Sequence, residues 1–401
     1  MIINIPGNSD FSIHNIPFGI FSTQARGKRA GVAIGEHILD LVAVHELGVF
    51  DFDAAVLNSG NLNDFIGLGK TVTSKVRTDI QNWLQDDDSV LAGKPEVFVK
   101  QSEAQMHMPV RVGDYTDFYS SIEHATNVGK MFRDPENALL PNWKHIPVGY
   151  HGRASSIIVS GEPIVRPKGQ TIPKDATQPI FGPTQRLDFE LEMGFIVGRN
   201  TSMGESVSTK EAENYIFGLV LFNDWSARDI QKWEYVPLGP FLAKNFASSI
   251  SPWIVTLDAL EPFRVAGPTQ EPKVLPYLEY EGEKNYDIHL EVAINDSKVC
   301  DSNFRYMYWN MVQQLAHHTV NGCNLGIGDM MASGTISGKD ENSYGSMLEL
   351  AWMGTKPVKL NDGTERKFIH DGDTVTMRGY GQKGDIRVGF GEVATKVLPA
   401  K

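Results

Sequence analysis

The sequence predicts a mostly β fold with a minor share of helix, divided into two domains. Its 401 residues are enough for two domains and a large core. The 38 glycines and 21 prolines are spread along the chain without a period, which indicates many turns between short strands. Two segments, Leu187–Gly198 and Asp287–Asn295, alternate between apolar and polar residues as strands do.

The first part of the chain predicts a small structural domain. Short apolar stretches, such as FGIFST and RAGVAIGEHILDL, are typical of the strands of a small barrel. They are followed by Thr71–Gln85, which predicts a helix because apolar residues recur every four positions. Gln101–Pro109 is a polar segment that ends in proline, so we expect domains at 1–109 and 110–401. No candidate catalytic residue appears before that boundary.

The overall charge and the cysteine count exclude several classes of function. A net charge of −12 argues against nucleic acid or an anionic membrane as a partner. The N-terminus lacks a signal-peptide pattern, and no apolar run approaches the length of a membrane span. Only Cys300 and Cys323 are present, which rules out a cysteine-rich zinc site and fits a reducing compartment. We therefore expect a cytoplasmic protein.

The alternating segment Leu187–Gly198 carries two carboxylates on one strand face, Glu190 and Glu192. Two such carboxylates repel each other unless water or a cation lies between them. One interpretation is a solvated outer face. The other is a pair of oxygen ligands for Mg²⁺ or Ca²⁺, which would require further carboxylates from elsewhere in the chain.

A third carboxylate, Asp224, follows the apolar run Ile216–Phe222, which predicts a buried strand. A carboxylate at the end of a buried strand is costly unless it is paired or binds metal. The alternative is that Asp224 caps the next helix, predicted within Trp225–Tyr235. That helix would place Arg228 and Gln231, three residues apart, on one face.

The segment Asp114–Arg133 is dense in reactive side chains. Ser120 or Ser121 could cap a helix that carries Glu123 and His124, and a lone histidine is more often structural than catalytic. Glu349 lies in an apolar segment, Gly345–Leu350, that predicts a strand. It is either an outward-facing residue or a buried acid that needs a partner such as His124.

Two further elements are predicted near the end of the chain. Ser302–Asn321 has the clearest helical stripe, with Ser302 as its cap and Gly322 as its stop. Thr374–Gly379 and Ile386–Val397 predict terminal strands. The chain has no Walker loop, no dinucleotide glycine motif and no GxSxG elbow, which excludes a P-loop hydrolase, a nicotinamide enzyme and a serine esterase.

Five segments together resemble the fumarylacetoacetase family: DYTDFYSSIEHATNVGKMFR, LPNWKHIPVGYHGRASSI, DFELEMGFIVG, NDWSARDIQKWEYVPLGPF and ASGTISG with GSMLEL. The resemblance covers nearly the whole chain in order. It implies an SH3-like small barrel followed by a larger mixed β-roll, a homodimer, and a role in tyrosine and phenylalanine breakdown. It also implies a small diketone dicarboxylic acid as the substrate and Mg²⁺ or Ca²⁺ as the cofactor.

The resemblance also implies a role for each matching residue. The implied metal ligands are Asp117, Glu190, Glu192 and Asp224. His124 and Glu349 match a water-activating pair, and an oxyanion-stabilising group is matched by Arg228, Gln231 and Lys244. Gln231 also belongs to the implied substrate contacts, with Tyr119, Arg133, Tyr150, Tyr235 and Thr335. One departure is Ser248, near the metal ligands, where threonine is expected; both carry a hydroxyl.

The reaction implied is hydrolysis of a carbon–carbon bond in a 1,3-diketone acid to fumarate and acetoacetate. It needs a general base for water, donors for an oxyanion and a hard cation for a developing carbanion, and the candidate residues are of these types. The nearest alternative is another 1,3-dicarbonyl acid, such as an acylpyruvate or oxaloacetate. A noncatalytic calcium-binding protein is a further alternative, which would not explain His124, Glu349, Arg228 and Lys244.

Overall fold

The computed structural model describes residues 3–401 and confirms the mostly β fold. A central sheet of thirteen strands runs through the molecule. In hydrogen-bonded order its main path is Phe98–Lys100, His37–Asp40, Arg29–Ile34, Phe18–Ser22, Trp253–Thr256, Ile216–Asp224, Leu191–Val197, Met330–Ala332, Tyr115–Phe118 and Gly149–Gly152. Three strands lie off this path: Gln105–His107, Ser248–Ile250 and Ile157–Val159.

A second sheet has five strands and contains both predicted terminal strands. Its order is Ser297–Asn303, His289–Ile294, Thr374–Lys383, Ile386–Leu398 and Ile164–Val165. Four strand pairs complete the β structure: Lys168–Thr171 with Ile180–Pro183, Leu187–Asp188 with Ser226–Ala227, Arg264–Val265 with Asn285–Tyr286, and Val358–Lys359 with Glu365–Arg366.

The helices are few and mostly short. The α-helices in the described residues are Leu41–His45, Asn63–Gly67, Lys70–Gln85, Ile122–Phe132, Arg228–Glu234, Leu257–Leu260, Met311–Thr319 and Met347–Leu350. The predicted helix at Thr71–Gln85 is confirmed, with Val76, Ile80 and Leu84 in its buried stripe. Across residues 3–401, none of the helices combines the length and the apolarity that a bilayer crossing demands.

The helix predicted at Ser302–Asn321 is wrong in its first half. Ser302 belongs to the strand Ser297–Asn303, and the helix begins only at Met311. Asn310 accepts a hydrogen bond from the backbone of Gln313, whose side chain bonds back to Asn310. This local capping box satisfies the free N–H groups of the first turn and so starts the helix later than the apolar stripe suggests.

The first strands of the chain do not form a closed barrel within residues 3–401. Instead, Phe18 pairs with Ile254, so Phe18–Ser22 continues into the strands of the second half. The boundary at residue 109 therefore remains a prediction, because strands from both sides of it share one sheet.

The strand Ile216–Asp224 is buried on both faces, and its packing determines the position of Asp224. Leu219 and Leu221 pack into one hydrophobic core, whereas Val220 and Phe222 pack into a second core on the other side. Burying each such side chain contributes about 1.5–3 kcal/mol, so the strand is firmly held. Its last residue, Asp224, is buried on the same face as Val220 and Phe222.

Candidate functional site

Four carboxylates converge at one end of the central sheet. Asp117, Glu190, Glu192 and Asp224 are all buried, and one oxygen of each lies within 4.8 Å of the others. Glu190 is 5% exposed and Glu192 is fully buried, so the interpretation of a solvated outer face is wrong. The capping role for Asp224 is also wrong, because Asp224 ends a strand and the next helix begins at Arg228.

Sheet register explains why these carboxylates meet. Glu192 lies opposite Phe222 across an antiparallel pair, and Asp224 is two residues further on the same face. Gly194 lies opposite Ala332, which is in turn aligned with Asp117. Since aligned residues point to the same side of a sheet, Asp224, Glu192 and Asp117 project into one space from three of four consecutive strands, with Met330–Ala332 between the last two.

Two cations lie among the carboxylates. The Nζ of Lys244 donates to Glu190 and, at 2.5 Å, to Oδ2 of Asp224. The guanidinium of Arg228 donates through Nη2 to Glu190 at 2.7 Å. Burial alone would raise the pKa of Glu190, but the charges of Arg228 and Lys244 lower it well below its usual value. Glu190 is therefore ionised.

Asp117 and Glu192 have too little positive charge nearby to offset their burial and the charges of neighbouring carboxylates. Burial and the charge of Asp224 raise the pKa of Asp117 well above its usual value, and burial with the charges of Asp117 and Asp224 does the same for Glu192. Oδ1 of Asp117 and Oε1 of Glu192 are buried without a hydrogen-bond partner. Unpartnered carboxylate oxygens in an acidic cluster fit a bound hard cation such as Mg²⁺ or Ca²⁺.

A glycine holds the second oxygen of Glu192 in place. The backbone N–H of Gly334 donates to Oε2 of Glu192 at 2.9 Å. Gly334 has a φ of +78°, and a Cβ there would lie 2.3 Å from the carbonyl oxygen of Phe118. Only glycine fits this position, so the small-residue segment that follows Met330–Ala332 serves the carboxylate cluster.

His124 and Glu349 form a buried pair beside the cluster. Nδ1 of His124 lies 2.7 Å from Oε2 of Glu349. Glu349 lies on the helical turn Met347–Leu350, so its predicted strand is wrong; Ser346 accepts from the N–H of Glu349 and caps this turn. The predicted cap of the other helix is confirmed, since Ser121 accepts from the N–H of His124.

The paired histidine and the carboxylate cluster are parts of one site. Burial would raise the pKa of Glu190, whereas the charges of Arg228, of Lys244 and, to a smaller extent, of a protonated His124 lower it. Tyr119 links the two: burial raises its pKa, and the charges of Glu349 and Glu190 both add to that rise. The rings of Tyr119 and His124 meet edge to face, with centroids 5.2 Å apart.

Two of the remaining predicted residues contact the carboxylates directly, and two more lie next to residues that do. The hydroxyls of Tyr150 and Ser248 donate to Asp224 at 3.1 and 3.2 Å. Oε1 of Gln231 accepts from Nη1 of Arg228 at 3.2 Å, as their spacing predicts. Thr335 is buried directly after Gly334.

Two predicted residues lie apart from the carboxylates. Arg133 donates through Nη2 to the carbonyl of Ala138 at 2.7 Å, and its charge acts on Tyr119. Tyr235 follows the helix Arg228–Glu234 and is 54% exposed. In the described part of the chain, no hydrogen bond joins either side chain to the four carboxylates.

Sequence reasoning missed the residues that hold the site in shape. Asn127, Ser337 and Ser346 all donate to the carboxylate of Glu349 at 2.9 Å. Asp188 is fully buried and accepts from Arg228. Signals were present: Asn127 is three residues after His124 on one helix, and Asp188 precedes Glu190 by two residues in the alternating segment.

Comparison with known proteins covers nearly the whole chain. Two protein-family models match the sequence. The family model described as "Fumarylacetoacetase N-terminal" matches residues 14–109, and the one described as "Fumarylacetoacetate (FAA) hydrolase C-terminal" matches residues 114–398. The chain is similar to the fumarylacetoacetase of Homo sapiens, with 52% identity over 99% of this chain and 98% of the human protein. It is 51% identical to that of Caenorhabditis elegans, over 99% of both chains.

Solved structures share the fold at much lower identity. A fumarylacetoacetate hydrolase from Exiguobacterium antarcticum has a TM-score of 0.56 and 18% identity, covering 96% of this chain and 100% of the other. A maleylpyruvate hydrolase from Sphingobium sp. SYK-6, solved with manganese(II) and pyruvate, has a TM-score of 0.55 and 16% identity over the same shares.

Proposed function

Because the chain belongs to the fumarylacetoacetase family, a family of hydrolases, we propose that it hydrolyses 4-fumarylacetoacetate to fumarate and acetoacetate. This reaction is the last step of tyrosine and phenylalanine breakdown. The observation that carries the proposal is the buried pair His124–Glu349 beside four converging carboxylates. Cleavage of a 1,3-diketone by water requires both a base and a way to stabilise negative charge.

Asp117, Glu190, Glu192 and Asp224 would hold a divalent cation, for which we propose Mg²⁺ or Ca²⁺. With Asp188, five buried carboxylates face only two cations, so a divalent ion offsets the excess of negative charge. When bound, such an ion supplies Lewis-acid stabilisation of negative charge on the substrate oxygens. The all-oxygen donor set favours these ions over zinc.

His124 would remove a proton from the attacking water. Its Nδ1 faces Glu349, so the imidazole keeps its proton on Nδ1 and leaves Nε2 as the basic atom. Burial opposes ionisation of Glu349, but the charge of His124 in its protonated form and hydrogen bonds from His124, Asn127 and Ser337 lower the pKa of Glu349. Glu349 thus stays charged and stabilises the imidazolium as it forms.

Arg228, Gln231 and Lys244 would stabilise the oxyanion formed by water attack. Arg228 and Lys244 are buried cations whose pKa values are raised by neighbouring carboxylates despite burial, so both stay charged. Fixed donors in a buried site need little reorganisation during the reaction. Gln231 orients Arg228 through its 3.2 Å contact and contributes its own amide N–H groups.

Substrate binding is assigned to Tyr119, Tyr150, Gln231 and Thr335, and to Arg133 and Tyr235, which lie apart from the four carboxylates. The substrate carries carboxylates, whereas the protein has a net charge of −12. Arg133 provides local positive charge for one carboxylate, and the tyrosine hydroxyls provide donors.

We further propose that the enzyme is a cytoplasmic homodimer whose division at residue 109 separates a structural from a catalytic domain. Cys300 and Cys323 are both free, which fits a reducing compartment. Apolar side chains concentrate on the surface after the helix Arg228–Glu234, and a second copy would cover them. They are Val236, Leu238 and Phe241, which are 67–96% exposed.

Light scattering tests the dimer. Leu238→Asp places a charge in this apolar surface and is expected to yield a monomer. Met203→Asp is the matched control, because Met203 is also highly exposed but lies elsewhere in the sequence. A dimer in both variants would show that the interface does not include this surface.

The activity is tested by mixing purified protein with fumarylacetoacetate and following the ultraviolet absorbance of the diketone. Absorbance is expected to fall with Mg²⁺ or Ca²⁺ present and to stop falling on addition of chelator. A folded, metal-loaded protein that leaves the absorbance unchanged would overturn the proposed substrate.

A further inference from the structure

Asp188 is a fully buried carboxylate without an assigned role in the proposed mechanism. It lies two residues before Glu190, in a short strand that pairs with Ser226–Ala227. Its two oxygens accept three hydrogen bonds, from Nε of Arg228 at 2.8 Å and from the backbone N–H groups of Met347 and Leu348 at 2.6 and 3.0 Å. Asp188 therefore contacts both halves of the site.

The contact with Arg228 determines how the guanidinium is oriented. Nε donates to Asp188, Nη1 to Gln231 and Nη2 to Glu190. A guanidinium has five N–H donors in a fixed plane, so three acceptors on three sides leave one N–H on each Nη atom for a ligand. Without Asp188, only Gln231 and Glu190 would hold the plane, and rotation about the last side-chain bond would be less restricted.

The contacts with Met347 and Leu348 determine where Glu349 lies. These two residues begin the turn Met347–Leu350, and their N–H groups have no acceptor within the turn itself. Ser346 accepts only from the N–H of Glu349, so Asp188 completes the cap of this turn. Since Glu349 is held by its own short turn, a shift of that turn moves the carboxylate that orients His124.

We propose that Asp188 is a positioning residue that fixes Arg228 and the turn of Glu349 relative to each other, so that the oxyanion donor and the water-activating pair address the same carbonyl. The proposal rests on the proposed function for its catalytic meaning. The contacts themselves are independent of which substrate is cleaved.

A purely structural ion pair elsewhere in the chain provides a matched control. Asp373 accepts from Nε of Arg366 at 2.8 Å and from the backbone N–H of His370 at 2.9 Å. Like Asp188 it is a buried carboxylate that joins an arginine to a backbone donor. In the described residues its side-chain hydrogen-bond partners are Arg366, His370 and Asn295, none of which is a candidate site residue. Asp373→Asn should therefore lower the melting temperature and leave kcat unchanged.

Asp188→Asn keeps the shape of the side chain and removes its charge. We expect kcat to fall about 10- to 100-fold, the usual effect of losing a partner that orients a functional group, with metal content and KM little changed. In an Arg228→Met or a Glu349→Gln background the same substitution should cost less than it does in the wild type, because one of the two groups that it positions is already gone. Equal loss in every background would overturn the proposal.

Two further measurements keep the proposal falsifiable. Asp188→Ser, which retains an acceptor for backbone N–H groups but removes the anion beside Arg228, serves if Asp188→Asn does not fold. A crystal structure of the folded variant tests positioning without any assay. An unshifted Arg228, with Nδ1 of His124 still 2.7 Å from Oε2 of Glu349, would refute the role of Asp188. Absence of wild-type turnover would instead refute the proposed function, while this structural test would still decide the positioning role.

Discussion

Nδ1 of His124 lies 2.7 Å from Oε2 of Glu349, although the two residues are 225 positions apart in the chain. The carboxylate can only accept this hydrogen bond, so the proton of a neutral His124 lies on Nδ1. Asn127 holds Oε1 of the same carboxylate at 2.9 Å. The pair is rigid and leaves Nε2 as one defined basic atom.

Substituting His124 should abolish turnover without unfolding the protein. In His124→Ala, Glu349 keeps its bonds to Asn127, Ser337 and Ser346, so the local structure retains its acceptor contacts. Loss of a general base lowers kcat about 10²- to 10⁴-fold. Initial rates and circular dichroism measure both effects. His45→Ala, which removes a histidine bonded to the carbonyl of Phe52, is the control and should keep full activity. Normal turnover in His124→Ala would exclude the base.

Glu349→Gln should lower turnover without unfolding the protein. Burial would raise the pKa of Glu349, but its partners lower it, so the carboxylate stays charged. The substitution removes this charge, which stabilises the imidazolium as it forms, whereas the amide oxygen can still accept from Nδ1 of His124. We expect kcat to fall about 10²- to 10⁴-fold in initial-rate measurements, with an unchanged circular dichroism spectrum. Wild-type kcat in the folded variant would contradict the arrangement.

Glu192→Gln should affect metal binding and stability in opposite directions. The substitution removes one ligand charge, so calorimetry should show metal affinity reduced by tenfold or more, which is about 1.4 kcal/mol. Without metal, it also removes repulsion within the buried cluster, so the melting temperature in chelator should rise above that of the wild type. Glu392→Gln, on the exposed pair with Arg378, should change neither quantity. Unchanged metal affinity would remove Glu192 from the ligand set.

The pair Asp373–Arg366 should make stability depend on pH in the acid range. Burial would raise the pKa of Asp373, but hydrogen bonds from Arg366, from the backbone of His370 and from Asn295 lower it. Its contribution is therefore present above the usual pKa of 3.8 and is lost as the pH falls through the lower, folded value. Asp373→Asn should cost about 1–3 kcal/mol at neutral pH and progressively less below pH 4, by denaturant unfolding. A constant cost would contradict this origin.

The parts of the candidate site that follow from local sequence patterns could be predicted. The alternation at Glu190 and Glu192, the buried run before Asp224 and the spacing of Arg228 and Gln231 all describe the geometry found. Glu349 was placed on the wrong element, because its apolar neighbours look alike in a strand and in a short buried turn. The contacts that distinguish the turn from a strand are two caps. Asp188, which is distant in the sequence, accepts from the backbone of Met347, and the neighbouring Ser346 accepts from the backbone of Glu349.

The fold class could be predicted from the sequence, but the pairing of distant strands could not. Short strands and turns were evident in the first hundred residues. Of the two strand partners of Phe18, Val32 is close in the sequence, whereas Ile254 lies more than two hundred residues away. Pairing between distant strands depends on register and twist across the whole sheet, which local periodicity does not encode. For the same reason the sequence suggested a small barrel, whereas the strands continue into a larger sheet.

The pairing of Phe18 with Ile254 also bears on how the chain is made. Translation proceeds at about 5–20 residues per second, so the strand Trp253–Thr256 leaves the ribosome roughly 10–50 s after Phe18–Ser22. During that interval the Phe18–Gly19 half of the first strand has a free hydrogen-bonding edge. A nascent chain stalled before residue 253 therefore exposes a strand edge with unpaired N–H and C=O groups, which can pair with other chains. This is the intermediate that chaperones would need to shield.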